Sequence, residues 1–265
     1  MSDRELMDGQ GWRSSWILEA LKTVVYALLI ALGIKTFLFQ PFNIPSGSMK
    51  DTLLIGDYLF VSKLSYGYSK YSFPFSPDLF SGRVFSGEPK RGDVAVFKKP
   101  PQNQIDYIKR VVGLPGDEIQ MRKGVLYING TAVPKTYVGE FENIECEDTQ
   151  RFCRTVRYKR YEEVLPEGVK YHVLDLTTGG QLDSTSVFKV PAGHYFAMGD
   201  NRDNSTDSRV QSDGGVGFVP LENFVGRAEI IFFSAAVDEP DALRWWAPWT
   251  WPFDIRWSRF FNLVR

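Results

Sequence analysis

The chain has 265 residues, of which 43% are hydrophobic and 15% aromatic, and its formal net charge is −1. This length allows one large or two small domains with a buried core. The near-zero net charge argues against a general affinity for nucleic acid, and no pattern of four Cys or His ligands indicates a structural zinc site.

An apolar segment near the N-terminus, residues 16–39, is predicted to be a single transmembrane anchor. It reaches the roughly 20 residues that a span needs if Lys22 and Lys35 extend toward the lipid headgroups. More positive charges precede the apolar core than follow it. This asymmetry favours a cytoplasmic N-terminal tail, residues 1–15, and an exported C-terminal part.

Three alternatives stay open for this segment. It could be a buried core helix, but no partner helix is evident. It could be a cleavable export signal, but no convincing small-x-small site follows it. It could be an amphipathic helix on the membrane surface, but apolar residues occupy all faces from Thr23 to Ile34.

After residue 39 the pattern becomes strand-like, because runs of β-branched and aromatic residues recur between Gly, Pro and Asn. Asn129-Gly130 predicts a tight hairpin, and Gly113–Asp117 predicts a turn. No long helical period follows the anchor, so we predict a mainly β body, an antiparallel barrel or curved sheets. The runs are 58–61, 93–97, 105–112, 125–128, 169–176 and 228–233.

The polar segment 135–190 is predicted to be part of an inserted second lobe. It divides the main domain into a first part, 40–134, and a second part, 191–238. Residues 64–92 are rich in Ser, Tyr, Phe, Pro and Gly, and predict a long loop or an extended hairpin.

The two cysteines, Cys146 and Cys153, lie close together inside a polar stretch of the second lobe. A disulfide between them would close a short loop in an oxidising compartment. The alternative is two unrelated free thiols. The disulfide is favoured because the anchor independently exports this part of the chain.

The C-terminal segment, residues 239–265, mixes tryptophan and phenylalanine with arginine. Amphipathic rings beside arginine suit a membrane interface. The alternative is that the rings cap the core of the sheet, and the two interpretations are compatible.

A lysine in the run 105–112 is a candidate general base. Strand alternation puts Ile105, Tyr107, Lys109 and Val111 on one face, where the amine would be desolvated and its pKa lowered from about 10.4. The alternative is an edge-strand lysine that reaches water. The histidines, His172 and His194, lie in no motif, and we interpret both as structural.

Ser48 is the candidate nucleophile. Gly47 lets the backbone approach a substrate closely, and the Ser46 hydroxyl with the Ser48 N–H could stabilise an oxyanion. The alternative is a polar Ser-Gly-Ser turn. Similarly, Gly199–Arg209 could be only an Asx-rich loop; its spacing hints at calcium, but the glycine and glutamate of an EF-hand are missing.

Taken together, these segments resemble bacterial signal peptidase I, the membrane-bound leader peptidase. The resemblance extends from the anchor to about Ser234 and is highly specific only when the motifs are combined. Those motifs are Pro45–Met49, Thr52-Leu53, Gly56-Asp57, Arg91–Val94, Asp106–Asp117 and Gly199–Arg209.

The resemblance implies a role for each matching residue. Ser48 is the nucleophile, Lys109 the general base, Ser46 the side-chain donor of the oxyanion hole, and Ser205 the residue that orients the lysine. Two charged pairs brace the site, Asp207 with Arg209 and Asp200 with Arg110. The pockets for small substrate side chains are lined by Ile44, Met49, Leu53, Tyr107 and Ile108.

The resemblance also implies an antiparallel β catalytic domain with an inserted second β domain. The expected function is removal of signal peptides from exported preproteins, after small-x-small motifs, without cofactor or metal. The expected partners are the preprotein and the lipid bilayer, and the enzyme is expected to be monomeric. The expected location is the bacterial inner membrane, with the catalytic domain periplasmic, and the Cys146–Cys153 loop resembles the disulfide loop of Gram-negative members.

The chain departs from the family at two points. Asp51 stands where the family usually has proline, which puts a negative charge near Ser48. One anchor is evident, whereas some members have two.

Two rival functions follow from the same residues. A self-cleaving Ser-Lys protein like the SOS repressors would share the chemistry, but neither a DNA-binding domain nor a cleavage linker is visible. A non-enzymatic anchored β-domain that binds envelope partners is the second rival.

Overall fold

The computed structural model describes residues 3–265 except 74, 75, 77, 79, 148–151, 178, 213, 240, 241 and 245; the side chains of 3–15, 145–147 and 152 are also outside the described part. Helix α1 spans Asp3–Phe37, and a short helix α2 spans Trp251–Asp254. The strands are β1 Phe39–Asn43, β2 Asp57–Ser62, β3 Val94–Lys98, β4 Asp106–Gly113, β5 Glu118–Arg122, β6 Val125–Ile128, β7 Thr131–Ala132, β8 Lys135–Glu147, β9 Phe152–Val164, β10 Lys170–Asp175, β11 Phe188–Lys189, β12 His194–Met198, β13 Val219–Pro220 and β14 Phe224–Ser234.

Helix α1 contains a stretch, Trp16–Phe37, that is long and apolar enough to cross a membrane, and none of its most apolar window is buried inside the protein. A core helix would be mostly buried, so that alternative is wrong. The end of the helix is attached to the body by Lys63, at the end of β2. Lys63 Nζ donates to Lys35 O at 3.0 Å and Thr36 O at 3.3 Å, and also to Ser72 O.

The largest sheet has seven strands in the order β1-β2-β14-β3-β4-β12-β13. Every neighbouring pair is antiparallel. β4 therefore has a strand on each side, and Lys109 pairs in register with Ala95 of β3. The alternative of an edge-strand lysine is wrong.

Two smaller sheets complete the β body: one has the order β10-β9-β8 and the other β11-β5-β6-β7. The hairpin predicted at Asn129-Gly130 is confirmed, since these residues join β6 to β7 with φ values of 52° and 78°. Both values lie in the left-handed region that a two-residue hairpin turn requires. A mainly antiparallel β body behind one apolar helix confirms the predicted fold class.

The boundaries of the second lobe stay a prediction. The four-stranded sheet joins β5–β7 to β11, so it includes chain on either side of residue 135. The three-stranded sheet consists of the long hairpin β8–β9 and strand β10, which lie wholly within 135–190. We call this three-stranded sheet the hairpin sheet.

The two cysteines occupy paired positions on the neighbouring strands β8 and β9, because the backbone of Cys146 pairs in register with that of Cys153. Cys153 is disulfide-bonded. The Cys146 side chain lies outside the described residues, so the predicted pairing rests on the register.

The backbone of the C-terminal segment packs on the seven-stranded sheet, and several of the segment's aromatic rings are exposed. Phe261 N donates to Ile231 O at 2.7 Å, and Arg259 Nη2 lies 2.6 Å from Asp57 Oδ2. Trp249 and Phe253 are nevertheless 71% and 88% exposed. Trp249 and Phe253 therefore do not cap the core of the sheet, whereas Phe260 packs against Phe233 of β14, with ring centroids 5.6 Å apart.

Candidate active site

A single turn of 3-10 helix, Gly47–Met49, follows β1 and carries Ser48. Asn201 holds this turn from the other side of the site: its backbone N donates to Ser48 O at 3.1 Å, and its Nδ2 donates to Gly47 O at 3.1 Å. Ser48 is buried, so neighbouring residues fix the surroundings of its hydroxyl.

The Lys109 amine reaches this hydroxyl from β4. Nζ of Lys109 lies 2.6 Å from Ser48 Oγ and 3.0 Å from Ile108 O. The lysine is only 3% exposed. Its burial lowers the pKa to about 8, although the negative charges of Asp207 and Asp200 raise it. A neutral amine at this distance can accept the hydroxyl proton.

Two buried ion pairs lie near the lysine, and in each pair an arginine binds the carboxylate. Arg209 binds Asp207 through two nitrogens, at 2.9 and 2.8 Å. Arg110 binds Asp200 in the same way, at 2.9 and 2.7 Å. Burial raises the pKa of Asp207, but Arg209 and two backbone N–H donors bring it below the ordinary value. Because an arginine binds each carboxylate, Lys109 has no direct carboxylate partner among the described residues.

The other hydroxyls of the site are less tightly arranged. Ser46 is exposed, with Oγ 3.5 Å from Ser48 Oγ. Ser205 is buried, but among the described residues its hydroxyl has no hydrogen-bond partner, so the structure does not join it to Lys109. The roles expected for Ser46 and Ser205 stay predictions.

A cleft of about 710 Å³ opens at Ser48 and Lys109. Of the five residues predicted to line substrate pockets, Ile44, Tyr107 and Ile108 do line it. Met49 and Leu53 are fully buried in a hydrophobic cluster that includes Ile44, with Ile108 packed against it. They lie in the core that supports the wall of the cleft.

Sequence reasoning missed two residues that fix the site, Asn201 and Thr52. Thr52 Oγ1 donates to Asp200 Oδ2 at 2.6 Å and accepts from Arg110 Nη2 at 3.2 Å. Both residues lie in segments that carried the resemblance. Their bonding partners, however, come from distant parts of the chain, which only the fold brings together.

No group of three or more His, Cys, Asp or Glu side chains in the described ranges is placed to hold a metal ion. In the acidic loop after β12, Asp203 instead accepts from the backbone N–H groups of Leu176 and Thr177, at 2.7 and 2.9 Å. The acidic loop is therefore bonded within the protein.

A buried serine hydroxyl in contact with a desolvated amine, beside a long cleft, is an arrangement suited to a serine hydrolase that uses lysine in place of histidine. Comparison with known proteins gives the family. The family model described as "Signal peptidase, peptidase S26" matches residues 17–233. The chain therefore belongs to the peptidase S26 signal peptidases, which are serine endopeptidases.

Two similar proteins of known sequence agree with this assignment. Signal peptidase I of Rickettsia typhi is 43% identical over 230 residues, which is 83% of this chain and 80% of the relative. Signal peptidase I of Rickettsia conorii is also 43% identical, over 83% of this chain and 79% of the relative. A solved signal peptidase I from Enterococcus faecalis is 28% identical and covers 53% of this chain and 96% of its own, with a TM-score of 0.29. Family membership supports removal of signal peptides as the function of this chain.

Proposed function

We propose that Ser48 attacks the scissile carbonyl of an exported preprotein while neutral Lys109 accepts its proton. The observation that carries this proposal is the 2.6 Å contact between Lys109 Nζ and Ser48 Oγ. At pH 7 about a tenth of the lysine is neutral if its pKa is about 8, compared with about one part in 10³ for an ordinary lysine.

The Ser46 hydroxyl and the Ser48 N–H stabilise the oxyanion, and an acyl-enzyme forms. Lys109 then activates the water that releases it, so the same amine acts as base in both halves of the reaction. Ser205 orients the amine once its hydroxyl turns toward Nζ. The paired carboxylates Asp200 and Asp207 brace the site without themselves accepting the lysine proton. The scheme needs neither cofactor nor metal.

The substrate lies extended along the cleft and is cut after a small-x-small motif. Strand β1 is the edge strand of the seven-stranded sheet, and its residues Phe42 and Asn43 line the cleft. An edge strand presents unpaired backbone groups, so it can bind an extended peptide by strand addition. Ile44 and Ile108 leave room for small side chains of the substrate.

Helix α1 places this site at the bilayer. We propose a single-pass protein of the bacterial inner membrane with a cytoplasmic N-terminus, a periplasmic catalytic domain and a monomeric state. The exposed rings of the C-terminal segment, including Trp249 and Phe253, lie in the membrane interface. The signal peptide of a substrate occupies the same bilayer, so both reactants are confined to one surface.

The proposal is tested by labelling with a serine-directed acylating probe, followed by mapping of the modified residue. We expect one modified peptide, carrying Ser48, and no labelling of Ser48→Ala. Labelling of Lys109→Met is expected to fall by at least 10²-fold, because general-base catalysis contributes 10²–10⁴-fold. A folded parent protein that remains unlabelled, or whose label lies elsewhere, would support the rival of a non-enzymatic β-domain.

A further inference from the structure

The two residues that follow the nucleophile turn, Lys50 and Asp51, have opposite charges, and both reach the hairpin sheet. Lys50 is 4% exposed, and its Nζ donates to Asn143 Oδ1 of β8 at 2.8 Å. The Asp51 carboxylate lies against β9 and β10: its Oδ2 is 2.7 Å from Arg160 Nε and 3.2 Å from His172 Nδ1. Each strand of the hairpin sheet thus supplies one polar side chain to this pair of residues.

The contacts of Asp51 and Arg160 combine an ion pair with a hydrogen bond to a histidine. Arg160 Nε and Asp51 Oδ2 are in ionic contact, although the N–H is not aligned for a hydrogen bond. Arg160 also reaches His172 Nδ1 through Nη2, at 2.9 Å. The Asp51 side chain is only 12% exposed, so its charge needs this compensation. This accounts for an acidic residue where the family usually has proline.

Lys50 has a second partner outside the hairpin sheet. Its Nζ lies 3.1 Å from Asp238 Oδ2, and Asp238 in turn accepts from Arg256 Nη2 at 2.7 Å. The stem of Lys50 also passes under Gly47, where an added Cβ would lie 3.3 Å from two of its carbons. The Lys50 stem therefore lies close to Gly47, the residue directly before Ser48.

The hairpin sheet also holds the loop on the other side of the site. Arg202, in the loop between Asp200 and Ser205, binds Glu163 of β9 through two hydrogen bonds, at 3.0 and 2.6 Å. Both side chains are buried. The same sheet therefore contacts the turn that carries Ser48 and the loop that braces Lys109.

We propose that the hairpin sheet is a positioning element for Ser48, acting through Asn143 on Lys50 and through Arg160 on Asp51. These are positioning residues, because none of them touches the substrate carbonyl or the Ser48 hydroxyl. The inference rests on the proposed role of Ser48 as nucleophile. A displacement of about 1 Å at a reacting atom lowers turnover by about 10²-fold, so a loosened turn affects kcat.

The test uses the full-length protein in detergent, with kcat and KM measured on an exported precursor. We expect Arg160→Gln and Asn143→Ala each to lower kcat about 10-fold, and the double variant about 10²-fold, with KM within about twofold of the parent value, because the cleft is untouched. The charge-exchanged variant Asp51→Arg/Arg160→Asp is expected to recover most of the kcat that Arg160→Gln loses.

The matched control is Arg157→Gln, on the same strand β9. Arg157 is exposed and pairs across the hairpin with exposed Glu142, away from Lys50 and Asp51. We expect parent kcat from this control. The inference would be overturned if Arg160→Gln and Asn143→Ala kept the parent kcat. It would also be overturned if their loss of kcat matched that of the control or the unfolded fraction in a melting curve. These outcomes would leave the proposed function standing. A folded parent that does not cleave would overturn the proposed function as well.

Discussion

At the scale of the residue, the site depends on a lysine that is kept from pairing with a carboxylate. Asp200 and Asp207 lie near Lys109, yet each is bound by two nitrogens of an arginine. Had either carboxylate paired directly with the lysine, the amine would stay charged and could not act as a base. Burial therefore determines the direction of the shift and brings the pKa of Lys109 to about 8.

The first prediction concerns the pH dependence of cleavage. In the proposed mechanism the neutral amine is the active form, so log(kcat/KM) should rise with a slope of about 1 below the pKa and level off above it. With a Lys109 pKa of about 8, the bend is expected near pH 8. The measurement is kcat/KM on a short peptide from pH 6 to 9.5. A profile that is flat across pH 7–9 would contradict the role of Lys109.

The second prediction concerns stability. The pKa of Lys109 is lower in the folded protein than in the unfolded chain, so the unfolded chain binds more protons between about pH 8 and 10.5 and stability rises with pH there. Below pH 8 the charged lysine destabilises the fold. Lys109→Met should therefore raise the free energy of unfolding by ~2 kcal/mol at pH 7, and the gain should vanish above pH 10.5.

Chemical denaturation of both proteins at pH 7 and pH 10.5 measures this difference. A Lys109→Met variant that is less stable than the parent at pH 7 would show that the lysine contributes to the fold rather than straining it.

The third prediction concerns Gly199, which lies against Ser205 and the backbone of Ser48. A Cβ added there would lie 2.2 Å from Ser205 Oγ and 2.6 Å from the Ser48 carbonyl oxygen. Gly199→Ala must move the Ser48 turn, and we expect kcat to fall by about 10²-fold or more. The control is Gly33→Ala in α1, where a Cβ meets nothing within 4 Å. Turnover of Gly199→Ala at the parent rate would contradict the close packing of Gly199 against Ser48 and Ser205.

At the scale of the element, the sequence predicted what depends on local pattern. Strand β4 follows from alternating apolar residues, and the β6–β7 hairpin follows from Asn129-Gly130. What lies around β4 could not be predicted, because Asp200, Asp207 and Arg209 reach it from about 90 residues away or more. For the same reason Thr52 and Asn201 were missed: a side chain that bonds across the fold leaves no period in the sequence.

The fourth prediction concerns the junction of α1 with the body. Lys63 binds the carbonyl oxygens of Lys35 and Thr36 at the end of the helix, where cations are favoured, and its pKa falls to about 8 by burial and the nearby Lys35 charge. Lys63→Met leaves these carbonyls unpaired and should lower stability by ~2 kcal/mol at pH 10.5, where the amine is neutral in the folded protein; below pH 8 the cost of burying the charged amine offsets this loss. Thermal melting in detergent at the higher pH measures the loss.

Lys90→Met is the control, because the Lys90 side chain is exposed. Equal melting temperatures for Lys63→Met and the parent would mean that the helix is held by other contacts.

At the scale of the whole molecule, the proposed function gives the apolar helix and the exposed aromatic rings two separate contacts with the bilayer. The helix supplies a span, Trp16–Phe37, and the C-terminal segment supplies rings attached to the central sheet through contacts such as Arg259 with Asp57. Under this proposal the rings orient the cleft relative to the membrane, whereas the helix alone only confines the cleft there.

The fifth prediction follows from this arrangement. Trp249→Ser/Phe253→Ser should lower cleavage of a bilayer-embedded precursor about 10-fold and leave cleavage of a short soluble peptide unchanged, because each ring contributes ~1–2 kcal/mol of apolar burial in lipid. The control is Val138→Ser/Val187→Ser, which removes exposed apolar side chains outside the C-terminal segment. Equal losses on both substrates would place the two rings in the function of the catalytic domain itself.

The proposed function requires that exported precursors are cleaved by Ser48 and Lys109 acting together. Its most direct test is to incubate the purified protein in detergent with an exported precursor, beside Lys109→Ala, and to determine the N-terminal sequence of the product. We expect one new N-terminus, directly after a small-x-small motif, which is absent with Lys109→Ala. Cleavage by Lys109→Ala at the parent rate, or no cleavage by the folded parent, would contradict it.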